Sequence, residues 1–174
     1  YNKEQALILA DILRTCVGAD YSHVRMPTDN KMDCSGTLVY GLDKMGFEVP
    51  SDLTADKILN EGYSWIIILD KVDNSKQGEP GMLNLYYFGE SYISHINYGV
   101  GKLEDETENQ IVDASSLGTT WQETRNLSKK QNQKAEAGKV NITWAPFSSN
   151  SVPDFQAKID FTKLRNLSIP LWHG

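Results

Sequence analysis

The chain has 174 residues, 40% hydrophobic and 23% charged, with a net charge of −6, the composition of one soluble globular domain with a proper core. Its basic residues are dispersed, so no Lys/Arg stripe exists to displace counterions, and nucleic-acid binding is disfavoured. No apolar stretch approaches the length of a membrane span.

Residues 3–17 read as a first helix, with Ala6, Leu9 and Leu13 on its apolar side and Gly18 as its stop. Cys16 closes that face and reads as a small core residue. Residues 18–33 read as a loop around Pro27 and Thr28-Asp29-Asn30. A second helix spans about 34–45, its apolar side carried by Leu38, Val39, Leu42 and Met45, with Gly46 and Pro50 ending it. Ser51–Asn60 reads as a third helix opening on a capping pair.

Beyond residue 60 the pattern becomes strand-like. Tyr63–Val72, Met82–Phe88, Ile93–Lys102, Gln110–Ala114 and Lys139–Phe147 are rich in β-branched and aromatic residues and are separated by polar turns. Residues 122–138, without an apolar stripe, read as an exposed loop or marginal helix. Helices first and strands afterwards predict an α+β fold, a helix carrying Cys34 packed on an antiparallel sheet of about five strands. The composition shifts after Phe147. The expected organisation is therefore a domain over 1–147 and a tail or linker over 148–174 that packs back through Phe155, Phe161, Leu164 and Trp172 or leads to a neighbour. The opening Tyr-Asn-Lys-Glu has no signal-peptide pattern and reads as a domain of a longer or processed protein.

Chemistry concentrates at Asp33-Cys34-Ser35-Gly36. A thiol in the first turn of a helix meets unpaired N–H groups and the positive end of the macrodipole, which favour the thiolate form a nucleophile needs. Such a thiol must stay free, so no Cys16–Cys34 disulfide is expected. Acyl chemistry on sulfur also needs a base that later serves as acid, and a group orienting it. The three histidines are His23 in the loop before the cysteine, His95 in a strand, and the penultimate His173. Alternation places Ile93, His95, Asn97 and Gly99 on one face of that strand and Ser94, Ile96, Tyr98 and Val100 on the other. Asp113, sharing a face with Ile111 on the next strand, could reach His95 and raise its pKa. Two cysteines and three scattered histidines give no metal-ligand spacing, so neither metal nor cofactor is expected.

Taken in order, these motifs resemble the NlpC-type cysteine peptidases, papain-like cell-wall endopeptidases. The resemblance rests on Asp33-Cys34-Ser35-Gly36 with Tyr40 and Gly46-Phe47-Glu48-Val49-Pro50, on Pro80-Gly81-Met82-Leu83 before Tyr86-Tyr87-Phe88, on Ser94-His95-Ile96-Asn97-Tyr98-Gly99, and on Ile111-Val112-Asp113. It covers roughly residues 5 to 121. It departs from the family pattern at Thr37, at Met82, at Asp113 where a His is more usual, and at Ser22-His23-Val24 in place of Trp-Gly-Gly.

The resemblance implies a papain-like fold and a peptidoglycan hydrolase that cleaves a stem-peptide amide, with Cys34 as nucleophile, His95 as base and Asp113 as orienter. Tyr21 would line the pocket, and Asp33 and Ser35 would bind a free amino group of the substrate. The setting it implies is the cell wall, outside the cell or on a virion, as part of a bacteriophage lysin, a tail-associated hydrolase or another multidomain wall protein. The alternatives are an amidase cutting the sugar–peptide bond, a non-catalytic wall-binding or tail module, and an acyltransferase or deamidating toxin on the same scaffold.

Overall fold

A computed structural model of the chain describes residues 2–22, 30–104, 108–115, 138–145 and 152–167. Residues 122–137 of the loop or marginal helix expected over 122–138, and both His23 and His173, lie outside these residues.

The first helix, α1 (Lys3–Thr15), is capped by Asn2, whose side chain accepts the Glu4 and Gln5 N–H groups. Leu9 and Leu13 on its apolar face are fully buried. The short strands β1 (Asp20–Tyr21) and β2 (Lys31–Met32) follow, then α2 (Cys34–Lys44) and β3 (Phe47–Glu48). Helix α2 is the buried centre of the fold. Leu38 and Leu42 are sealed from solvent, each stabilising the fold by about 1.5–3 kcal/mol relative to exposure. It ends at Gly46, whose φ of +89° an L side chain would resist. The third helix, α3 (Ala55–Asn60), is shorter than the sequence pattern suggests, because Thr54 rather than Ser51 provides the cap, accepting the Lys57 N–H.

The remaining elements are β4 (Ile66–Ile68), β5 (Leu83–Tyr86), β6 (His95–Gly101), β7 (Gln110–Ser115), β8 (Lys139–Trp144), β9 (Phe155–Ile159) and β10 (Arg165–Asn166). Eight strands form one sheet in the order β2-β1-β8-β7-β6-β5-β9-β4, and β10 pairs with β3. The α+β class holds, but the five-stranded antiparallel sheet does not. The five expected strands are β4 to β8. The sheet also takes in β1 and β2, which pair in parallel, and β9. Two-residue strands are too short to show alternation, and β9 lies in the stretch that composition set apart as tail or linker. There it is paired with both β5 and β4.

One face of the sheet packs on α1 and α2 through Ile96, Tyr98, Val100, Val112, Ala114, Val140 and Ile142. The alternating positions carry buried polar side chains, among them Asn84, Asn97, Asp113, Asn141 and Gln156. Their bonds run through Gln156 to Asn84 at 3.0 Å and Asn84 to the Gln77 carbonyl at 3.0 Å, so the segment around Gln77 is tied to this second face. Gly99 is where that segment touches the sheet: a Cβ there would sit 2.2 Å from the Glu79 carbonyl oxygen. Among the described residues, no helix is long and apolar enough to cross a membrane.

Candidate active site

Cys34 occupies the first position of α2 because Asp33 caps the helix. The Asp33 carboxylate accepts the Gly36 N–H at 2.6 Å, and its carbonyl accepts the Thr37 hydroxyl at 2.8 Å. Ser35 donates from its hydroxyl to the same carboxylate at 3.4 Å. Cys34 is 8% exposed, and neither it nor Cys16 is part of a disulfide.

His95 opens β6 and Asp113 lies on β7, its neighbour in the sheet. Nε2 of His95 is 2.5 Å from Oδ1 of Asp113. Cys34 is the ring's other electrostatic partner. Burial on its own would lower the His95 pKa. The Asp113 carboxylate outweighs it, helped by Cys34, and the value is raised above the ordinary 6.5. The arrangement therefore favours the protonated form of the ring.

Tyr21, half-buried on β1, stands at the same place: burial pushes its phenol above its ordinary value, and so do the charges of Cys34, Asp33 and Asp113. It is brought there by the β1–β2 pairing, which sets Tyr21 opposite Met32, two residues before Cys34. The six residues singled out from the sequence (Tyr21, Asp33, Cys34, Ser35, His95 and Asp113) thus converge. Among the described residues, no group of three or more His, Cys, Asp or Glu side chains could hold a metal ion.

Two contributors escape the sequence reading. Tyr98 alternates away from His95 along β6, yet its hydroxyl donates to the Cys34 carbonyl at 2.5 Å, because α2 packs on that side. Burial, reinforced by the charges of Cys34 and Asp33, raises its pKa well above the ordinary value, so it stays a neutral donor. Phe88, in the turn after β5, stacks on the His95 ring with centroids 5.3 Å apart and planes 21° apart. Tyr86, opposite His95 in the β5–β6 register, stacks on Phe88 in turn at 4.8 Å. Only the aromatic run Tyr86-Tyr87-Phe88 signals this cluster in the sequence.

No protein-family model matches the chain, and no curated protein does. Among solved structures, NlpC2 from Trichomonas vaginalis is similar over 95% of this chain and 51% of its own, with a TM-score of 0.56 at 16% identity. NlpC1 from the same organism is similar over 93% of this chain and 44% of its own, with a TM-score of 0.50 at 16% identity. The chain spans about half the length of these two proteins. The likeness is one of fold, and the fold is NlpC-like.

Proposed function

We propose that the chain is a cysteine peptidase that hydrolyses a stem-peptide amide of peptidoglycan. The observation that carries this reading is the buried His95–Asp113 pair at 2.5 Å, with Cys34 at a helix start as the ring's other electrostatic partner. A wall-binding module has no use for that ion-pair arrangement. The NlpC-like fold and the ordered motifs around Cys34, His95 and Asp113 support the same class.

In the proposed reaction, the Cys34 thiolate attacks the amide carbonyl carbon, and the oxyanion that forms is held by the Cys34 N–H at the first turn of α2. His95 passes its proton to the departing amine as the C–N bond breaks, leaving a thioester. The neutral imidazole then takes a proton from water, whose oxygen attacks the thioester carbon. Release of the carboxylic acid restores thiolate and imidazolium. Asp113 keeps Nε2 oriented and balances the charge on the ring. In this reading Asp33, with Ser35 beside it, receives a substrate ammonium group, and Tyr21 forms the adjacent wall of the pocket. The matching place of action is the cell wall, reached from outside the cell or from a virion.

The test is lysis of purified bacterial walls of several peptidoglycan types by the parent protein and by Cys34→Ala, with mass spectrometry of the fragments. New peptide amines and carboxylates released only by the parent support the reading. A new sugar lactyl carboxylate would make the protein an amidase instead. Equal clearance by both proteins, or by neither on every wall type, would sink the thiol mechanism on this substrate.

A further inference from the structure

At the turn between β5 and β6, residue type and backbone conflict. Phe88 and Gly89 have φ values of +50° and +82°, and the Glu90 N–H donates to the Tyr87 carbonyl at 3.2 Å. Two successive positive values at the centre of a turn are the type I′ pattern, which favours Asn, Asp or Gly and penalises a bulky side chain at the first central position. Burial does not explain the aromatic residue, because Phe88 is 51% exposed. Its ring instead lies nearly parallel to the imidazole of His95, with Tyr86 against it as well.

We infer that Phe88 is a positioning residue for His95, its ring covering one face of the imidazole, fixing the plane in which Nε2 meets Asp113 and shielding that hydrogen bond from water. The inference rests on the role proposed above for His95. The bond to Asp113 fixes where Nε2 points but not the tilt of the ring, and a ring stacked on its face removes that freedom. An aromatic face against a cation also favours the charged form. The titratable groups that face the ring are Asp113 from β7, Cys34 from α2 and Tyr86 from β5. Phe88 carries no charge, so replacing it changes the cover and leaves those partners in place.

The test is an NMR titration of the His95 imidazole in the parent, Phe88→Gly and Phe88→Trp, with the pH profile of Cys34 alkylation measured alongside. Glycine suits the turn, so Phe88→Gly keeps the fold and its thermal midpoint. The expected result is a His95 titration moved down by about half a pH unit or more. The alkaline limb of the alkylation profile moves with it, and tryptophan restores both. Identical titrations in the parent and Phe88→Gly, or a Trp variant that behaves like Gly, would overturn the inference. Failure of the hydrolase reading looks different: the parent leaves walls intact while the titration still shifts.

Discussion

Nε2 of His95 and Oδ1 of Asp113 lie 2.5 Å apart on neighbouring strands, both side chains almost wholly closed to solvent. A charge-assisted bond of that length in a buried setting does two things at once: it orients the ring and it stabilises the ring's proton.

Asp113→Asn keeps the shape and removes the charge. Hydrolysis is expected to fall by about 10² to 10⁴-fold, the range seen when the orienting carboxylate of a nucleophile–His pair is neutralised. The alkaline limb of the pH–rate profile moves toward lower pH, since the anion holding the imidazolium is gone. Steady-state kinetics on wall fragments across pH checks both. An unchanged profile would remove Asp113 from the proposed machinery.

Stability should depend on pH through the same ring. His95 holds its proton more tightly in the folded protein than in the unfolded chain, where its value is near 6.5. Its contribution is complete below about 6.5 and is lost as pH rises through the raised folded value. Urea midpoints of the parent are therefore expected to fall over that alkaline window more steeply than those of His95→Gln. Parallel curves for the two proteins would contradict the raised value.

Tyr98→Phe deletes the hydroxyl that donates to the Cys34 carbonyl. The fully buried site keeps its ring packing. The loss is expected to be about 1 kcal/mol of stability, read as a lowered denaturant midpoint, with slower alkylation of Cys34 because the first turn of α2 is held less firmly.

Gly99→Ala tests the second face of the sheet. The new methyl would stand 2.2 Å from the Glu79 carbonyl and 2.6 Å from that of Gln77, both backbone atoms that cannot rotate aside. Overpacking of this kind costs about 1–3 kcal/mol. Thermal unfolding should show a clear drop, and a midpoint equal to the parent's would mean that the Gln77–Gly81 segment is not fixed against β6.

Much of the site can be read along the chain because its key residues sit in local patterns. Asp33 and Cys34 announce a capped helix start, and His95 and Asp113 fall in strands with clear alternation. What could not be read is contact between elements distant in sequence. Tyr98 sits on the side of β6 that packs against α2, and alternation alone says nothing of which helix lies there. Phe88 is in a turn whose backbone preference argues against an aromatic residue, so no local rule would place a ring there. The parallel pairing of β1 with β2 joins segments only two residues long. For β9, a polar stretch ahead of Phe155 masked an alternating Phe-Gln-Ala-Lys-Ile strand.

The position of β9 also bears on how the molecule is made. It is inserted between β5 and β4, two strands that precede it by some 70 to 90 residues. While the chain emerges from the ribosome, the histidine strand can pair with β5 and β7, but the outer edge of β5 stays open until residue 159 has been released. A chain interrupted near residue 150 therefore carries every residue of the proposed chemistry together with a bare strand edge, the template on which aggregation starts. Synthesis of Phe155–Ile159 closes that edge, tying solubility to the arrival of β9.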